Sequence, residues 1–360
     1  DSAGIAIVNG GEKISWAKKQ GRLAGLEEIL AANPIAGSVG IGHTRWATHG
    51  APSDVNSHPH LNEAETLAVV HNGIIENYMQ LREMLTAEGY HFKSETDTEV
   101  AVHLIDKYYE GDLLEAVRKA VSVFRGAYAL GVVSAKHPNE LIAVRKESPL
   151  IVGVGEGEYF IASDVPAILK YTRNVYYLEN DEMIHVKDGV LTIYDGNNNV
   201  VEKELKTVEW DIEAASKGGF DHFMMKEIYD QPQAIRDTLL RRLDDEGMIH
   251  LDDIKLTRED LDGITKMYIV ACGTAYHAGL VGKFAIEQIA KVPVEVDIAS
   301  EFRYSNPFID EHTMLIVVSQ SGETADTLAS LRYAKERGAR ILSVTNVVGS
   351  SIARESDDVF

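Results

Sequence analysis

Cysteine is nearly absent: Cys272 stands alone among 360 residues. A single thiol cannot close an internal disulfide, so stability must come from buried cores, and the composition fits a reducing, cytoplasmic compartment. Long apolar runs are missing too. No stretch reaches the roughly 20 residues with which a helix spans a bilayer, and no signal peptide is visible. Basic residues are outnumbered, 35 against 56 acidic, for a net charge of −21. Such a surface repels nucleic acid and anionic membranes, so neither is an expected partner. An anionic ligand would need a local pocket of donors. A Walker loop and a dinucleotide glycine fingerprint are lacking, which leaves nucleotide binding unsupported. The chain opens at Asp1 without an initiator methionine and stops at Phe360 in mid-pattern, and both ends read as truncations.

What is present is ordinary globular material, 45% apolar and 25% charged, in a length that calls for two domains. Two styles of sequence meet near residue 215. Before it, short β-rich runs dominate: Gly4 to Val8, Ser38 to His43, Leu67 to His71, Ala127 to Ser134, Glu140 to Arg145, Tyr159 to Ala162, Val175 to Leu178 and Met183 to Lys187. Helices are expected over Asn77 to Glu88, Asp97 to Tyr109 and Leu113 to Val123. Strand clusters set apart from helices imply a layered α+β domain with antiparallel sheets, spanning 1–212. A linker at 213–224 contains the flexible break Lys217-Gly218-Gly219. The second domain, 225–360, opens with a helix over Met225 to Arg242. Apolar strands (Met267 to Ala271, Met314 to Val318, Arg340 to Val344) then alternate with helices (Ala278 to Ala290, Ala325 to Arg337), the pattern of a parallel α/β sheet.

In that second domain, Ser319-Gln320-Ser321-Gly322-Glu323-Thr324 joins a buried strand to a helix. Free N–H groups and the positive dipole end of a helix suit a phosphate, and the hydroxyls of Ser319, Ser321 and Thr324 add donors. N-capping alone would account for the same hydroxyls. Cys272-Gly273-Thr274 occupies the equivalent carboxyl end of another strand, the edge where parallel sheets collect ligands.

The densest polar run of the first domain is His43-Thr44-Arg45-Trp46-Ala47-Thr48-His49-Gly50. Arg45 is suited to grip a carboxylate with its forked guanidinium. Asn72-Gly73 closes an apolar run; it is either a plain turn or an amide and an N–H placed side by side as an oxyanion hole. Thr96 and Glu99 have capping-box spacing, which sets Asp97 in the first turn of a helix. There Asp97 either complements the dipole or pairs with a substrate ammonium, in which case Arg45 and Asp97 hold the two charged ends of an α-amino acid. His58-Pro59-His60 lacks a cysteine or carboxylate at ligand spacing, so no metal is expected and a structural role is.

These runs, together with Val55 to His60, Arg125-Gly126-Ala127-Tyr128, Ala162-Ser163-Asp164, Lys226-Glu227-Ile228-Tyr229 and Ala299 to Tyr304, resemble the glucosamine-6-phosphate synthase family over nearly the whole chain. The resemblance implies an αββα N-terminal-nucleophile hydrolase fold for the glutaminase domain. It implies the first half of a sugar isomerase (SIS) domain for the rest. It implies a glutamine-dependent amidotransferase and ketose–aldose isomerase that makes glucosamine 6-phosphate and glutamate from fructose 6-phosphate and glutamine, as a homodimer with no metal or organic cofactor. By carry-over, Arg45, Thr48, His49 and Asp97 bind glutamine, Asn72 and Gly73 form the oxyanion hole, and Trp46 gates an ammonia channel. Thr274, Ser319, Gln320, Ser321 and Thr324 hold the sugar phosphate. The family often has a serine where this chain has Ala275, so one hydroxyl contact is expected to be missing.

The family's nucleophile is an N-terminal cysteine whose own amine is the base. Here residue 1 is Asp1, and Cys272 matches a sugar-site position instead. The nucleophile is therefore expected upstream of Asp1, and residues 1–360 by themselves are expected to be inactive. Two other readings exist. A sugar-phosphate-binding regulatory module without glutaminase activity fits poorly with the acidic charge and the glutamine-type pocket. Another glutamine amidotransferase sharing only the first domain does not explain the Ser319–Thr324 run.

Overall fold

The computed structural model describes residues 1–46, 49–208, 218–240, 242–244, 246–251, 254–347 and 349–360. The chain divides into two compact units, Asp1–Ser216 and Lys217–Phe360.

The first unit runs β1 (Ser2–Val8), β2 (Ser15–Gln20), α1 (Leu23–Ala32), β3 (Val39–Arg45), β4 (His60–Leu61), β5 (Leu67–Gly73), α2 (Tyr78–Ala87), α3 (Thr98–Tyr108) and α4 (Leu113–Val121). It continues with β6 (Tyr128–Ser134), β7 (His137–Lys146), β8 (Ile151–Val154), β9 (Tyr159–Ala162), β10 (Asn174–Tyr177), β11 (Met183–Lys187), β12 (Val190–Tyr194) and β13 (Lys206–Thr207). Three antiparallel sheets result, with strand orders β2-β1-β3, β12-β11-β7-β6-β5-β4 and β13-β10-β8-β9.

Period-two alternation decides the layers. On β1, Ala6 and Val8 turn toward the six-stranded sheet, where they pack with Ile41, Ala68, Val70, Val133 and Leu141. Ala3 faces the other way, onto Ala17 of β2 and Leu26 of α1. The six-stranded sheet sends Leu67, Val69, Leu130, Val132, Ile142 and Val144 to its far face, against Leu81, Leu85, Leu104, Ile105, Leu113 and Val117 of the helices. The order is therefore helix, sheet, sheet, helices, the αββα arrangement. α4 is started by Asp112, whose carboxylate accepts from the Glu115 N–H at 3.0 Å. One local expectation is corrected. Thr96 and Glu99 form no capping box: the Glu99 carboxylate accepts from the N–H groups of Lys93 (2.8 Å) and Ser94 (2.7 Å), and Thr96 bonds sideways to His60 (3.0 Å).

The second unit contains α5 (Phe223–Leu240), α6 (Arg258–Gly263), β14 (Lys266–Ala271), α7 (Thr274–Ile289), β15 (Val294–Ile298), α8 (Ala299–Phe302), β16 (Thr313–Ser319), α9 (Ala325–Lys335), β17 (Arg340–Thr345), α10 (Ser351–Glu355) and β18 (Asp358–Val359). Its sheet is parallel throughout, in the order β15-β14-β16-β17-β18. β16 lies inside this sheet, and Leu315 and Val317 reach Leu328 and Leu331 of α9 on one face. Ile316 joins Ile269 and Val294 on the other.

All three tryptophans of the chain, Trp16, Trp46 and Trp210, precede residue 217, so their fluorescence reports the first unit. Leu104 of α3 is fully buried. Leu104→Ala is expected to destabilise that unit by about 2–5 kcal/mol. Urea unfolding followed by tryptophan emission checks this, and a midpoint indistinguishable from the parent would refute the packing of α3 on the sheet.

Candidate functional sites

The inner faces of β3 and β5 carry the first site. Along β3 the inward residues are Ile41, His43 and Arg45; along β5 they are Ala68, Val70 and Asn72. Both strands are apolar where the sheets sandwich together and turn polar at the same end. There His43 Nε2 lies 2.7 Å from Asn72 Oδ1 across the two sheets. Gly73 follows with φ 114°, and a Cβ on it would stand 2.1 Å from the Ala127 carbonyl oxygen, so only glycine fits. A cavity of about 510 Å³ opens beside His43 and Asn72, lined further by Gly42, Val70, Gly131 and Phe160. The strands β3 and β9 border it, each hydrogen-bonded to a neighbour on one side only among the described residues.

Arg45 is 5% exposed. Its Nη2 donates to the carbonyl oxygens of His49 and Gly50, while Nη1 is buried without a hydrogen-bond partner among the described residues. Burial lowers the guanidinium pKa, and the nearby Asp97 charge opposes that. Asp97 is also buried. It stands at the N-cap of α3 but makes no cap bond; its Oδ2 accepts instead from the Ile75 N–H at 2.8 Å, two residues beyond Gly73, and lies 3.9 Å from His71 Nδ1. His49 is half-buried, edge-on to Tyr78 with ring centres 5.0 Å apart. Trp46 is 89% exposed, and Thr48 falls outside the described residues. The fold thus gathers Arg45, Asn72, Gly73 and Asp97 at one end of the sandwich.

Sequence reasoning expected a structural role for His58-Pro59-His60 and singled out neither His43 nor His71 for one of its own. His43 packs against His58 with the rings tilted and their centres 4.4 Å apart, and the His58 ring centre lies 5.1 Å from that of His60. The Thr98 hydroxyl is shared by His71 Nδ1 (2.9 Å) and His58 Nε2 (3.1 Å). The one available signal was the alternation that puts His43 on the face of Arg45.

In the second unit, β14 and β16 are parallel neighbours with Ala271 opposite Val318, so the turns after them share one sheet edge. Thr274 is the first residue of α7, exposed, behind Gly273. Ser319 ends β16. Its Oγ accepts from the Gly322 N–H at 3.0 Å and lies 3.1 Å from Thr324 Oγ1. Ser321 Oγ accepts from the Glu323 N–H at 3.2 Å, and Gln320 is exposed. Thr324 is the N-cap of α9 but makes no cap bond, so simple capping does not explain its hydroxyl. Gly322 has φ 65°, and a Cβ there would be 2.0 Å from Ser350 Oγ. The loop is tied to α10: Glu323 Oε1 accepts from the Ser351 N–H at 2.7 Å, and the Ile352 N–H donates to the Gly322 carbonyl at 3.0 Å.

Burial holds the clustered imidazoles of the first site neutral. It lowers the pKa of His43, drives His58 and His60 well below the ordinary value, and takes His71 to about 4. In the unfolded chain each titrates near 6.5. Between the folded and unfolded values the unfolded state binds more protons, so stability rises with pH. It is fully present above the unfolded pKa and is lost as pH falls below about 6.5, by up to about 1.4 kcal/mol per pH unit for each imidazole. Burial alone would raise the pKa of Glu99, but the His103 imidazole 3.7 Å away and hydrogen bonds from Lys93 and Ser94 bring it to about 2, so its contribution is lost only at lower pH. The thermal midpoint of the first unit, read by tryptophan emission, is expected to fall steeply from about pH 7 to about pH 5. A flat profile there would mean that the cluster takes up protons while folded.

Comparison with known proteins agrees with this arrangement. A family model described as a glutamine amidotransferase domain matches residues 43–170, and one described as a SIS domain matches residues 261–360. The glutamine–fructose-6-phosphate aminotransferase (isomerizing) of Clostridium acetobutylicum is 60% identical over 359 residues, covering 100% of this chain and 59% of that protein. The protein of the same name from Thermus thermophilus is 49% identical over 360 residues, with the same coverage. The chain thus spans 59% of the length of these curated relatives. Among solved structures, a glutamine phosphoribosylpyrophosphate amidotransferase from B. subtilis superposes with a TM-score of 0.50 at 17% identity, over 99% of this chain and 84% of its own, a likeness of fold alone. The αββα unit has the N-terminal-nucleophile hydrolase fold, and the parallel sheet is that of a sugar isomerase domain. Relatives of one name align along the whole length of the chain, which is similar throughout to the matching part of the glutamine–fructose-6-phosphate aminotransferases.

Proposed function

We propose that the complete protein hydrolyses glutamine in the first unit and passes the ammonia to fructose 6-phosphate bound in the second, yielding glutamate and glucosamine 6-phosphate for amino sugar biosynthesis. The observation that carries the reading is the buried, half-satisfied guanidinium of Arg45 beside the buried carboxylate of Asp97. A buried ion with an unpaired donor edge is costly unless a ligand completes it. A carboxylate on Arg45 and an ammonium on Asp97 would do so, and a free α-amino acid carries both.

In this reading, the glutamine side chain extends from these anchors toward Asn72 and Gly73. The Asn72 carboxamide and the Gly73 N–H stabilise the oxyanion that forms when the amide carbon is attacked. His49 and Thr48 complete the pocket, and Trp46 guards the passage of ammonia. The attacking thiol belongs, by the family resemblance, to a segment before Asp1. The open edges of β3 and β9 would flank an extended segment entering the cavity beside Asn72. In the second unit, Ser319, Gln320, Ser321 and Thr324 take the sugar phosphate and Thr274 the sugar; the ties from Glu323 and Gly322 to α10 support a preformed loop. The chemistry proposed calls on no metal or organic cofactor. The protein is read as a cytoplasmic homodimer joined through the second unit. In support, α5 leaves Phe223, Met224, Ile228, Tyr229, Leu239 and Leu240 exposed. Elution of the complete protein as a monomer at micromolar concentration would count against the dimer.

Two substitutions test whether the sites are separate. In the complete protein, Asp97→Ala is expected to abolish glutamine use and leave fructose 6-phosphate binding intact. Gly322→Ala, which strains φ and collides with Ser350, is expected to do the reverse. Glutamate release and calorimetric titration with the sugar phosphate give the two readouts. Parallel loss of both functions in either variant would defeat the two-site reading.

A further inference from the structure

The contact between His43 and Asn72 is left without a purpose by the roles assigned so far. An asparagine side chain has two unlike ends, and only its NH₂ can donate to an oxyanion. Turned by half a rotation, the same side chain would present its carbonyl oxygen to the developing negative charge and repel it. Something must therefore choose the orientation. His43 Nε2 lies 2.7 Å from Asn72 Oδ1, so an N–H on Nε2 captures the carboxamide oxygen and leaves the NH₂ turned away from the imidazole. The other ring nitrogen, Nδ1, is buried without a hydrogen-bond partner among the described residues, which an unprotonated nitrogen tolerates far better than an N–H. Both observations select the tautomer with its proton on Nε2.

The imidazole is itself held. It follows Ile41 on the inward face of β3, and its ring lies against that of His58 at 4.4 Å between centres. His58 is fixed at both nitrogens: Nδ1 accepts from the His71 N–H at 3.4 Å, and Nε2 stands 3.1 Å from the Thr98 hydroxyl. Thr98 opens α3 directly after Asp97. The orientation of Asn72 is thus tied, through two histidines and one threonine, to the helix that presents Asp97.

We propose that His43 is a positioning residue for the oxyanion hole: its Nε2–H holds the Asn72 carboxamide oxygen and so aims the Asn72 NH₂ at the acyl oxygen of glutamine. This rests on the reading of Asn72 as an oxyanion donor. In this role His43 acts through Asn72 and not on the substrate, so its removal lowers the rate of the chemical step and leaves glutamine binding alone. Glutamine at His43 restores the function, because its side-chain NH₂ offers a donor at comparable reach.

The test uses the enzyme expressed from its complete reading frame, with glutamate release as the assay and four variants: Asn72→Ala, His43→Leu, His43→Gln and the double variant His43→Leu/Asn72→Ala. Loss of an oxyanion donor lowers kcat by about 10²–10³-fold, the effect expected of Asn72→Ala. His43→Leu is expected to lower kcat by at least about 10-fold with KM for glutamine unchanged, and His43→Gln to recover most of that loss. The double variant should be no slower than Asn72→Ala alone, because His43 acts only through Asn72. If His43→Leu does not fold, His43→Met, of similar length and without a donor, takes its place. A His43→Leu effect that multiplies in full onto Asn72→Ala, that falls on KM, or that His43→Gln fails to relieve overturns the proposal while leaving the oxyanion hole standing. If Asn72→Ala itself leaves kcat nearly unchanged, the reading of Asn72 fails first, and the role of His43 falls with it.

Discussion

The first unit depends on one constraint: two facing sheets must stay apolar along their shared interior, and β3 and β5 relax that rule at the same end. Ile41, Ala68 and Val70 belong to the common core; one alternation further along come His43, Arg45 and Asn72. Because side chains on a strand repeat every second residue, shifting either strand by one position would send these groups to the opposite face. The β1–β3 pairing sets Gly4 against His43 and Ser2 against Arg45, and the β5–β6 pairing sets Asn72 against Ala129. The core therefore fixes the register, and the register delivers the polar groups. Site and core are the same two strands read at different heights.

Charge is handled there by exclusion as much as by pairing. A buried guanidinium next to ionised imidazoles would be strongly unfavourable, and burial keeps His43, His58, His60 and His71 neutral. Neutral imidazoles can accept and donate at once, which lets them link Thr96, Thr98 and Asn72 into a connected set. Arg45 and Asp97 remain the charged pair of the rim, and each keeps a backbone partner: Gly50 O for Arg45, Ile75 N–H for Asp97. Those anchors hold both groups in place before any ligand arrives, so a ligand does not bear the cost of ordering them.

Much of this was legible in the residues. The antiparallel strands before residue 215 and the parallel alternation after it are patterns of period and length, and β5, β6, β11, β14 and β16 lie where those patterns put them. What was missed has physical reasons. β2 (Ser15–Gln20) is a polar edge strand, and no apolar alternation betrays it. α1 buries only Leu26, too little for a recognisable stripe. β3 was expected to stop at His43, because Thr44 and Arg45 look like loop; the two further residues are what carry Arg45 inward. The Thr96–Glu99 spacing suggested a capping box, but Glu99 found two backbone N–H groups of its own preceding loop, a choice that local sequence does not decide. A structural role for His58-Pro59-His60 was expected, but not the cluster itself, since it joins positions 43, 58, 60 and 71 only after the sheets have stacked.

In the proposed reading both sites face one difficulty, an anionic group approaching a chain of net charge −21. The first meets it with a full positive charge sheltered from water. The second, among the residues of its loop, relies on neutral donors. Ser321 Oγ already accepts from the Glu323 N–H, which leaves the proton of that hydroxyl free to donate. The Glu323 carboxylate, which would otherwise repel a phosphate, is turned onto the Ser351 N–H at the start of α10. Gly322, packed against Ser350 with no room for a side chain, holds the loop close to that helix. The acidic residue in the loop thus serves as its tether, its charge engaged by a backbone N–H of α10 and not turned on an incoming anion.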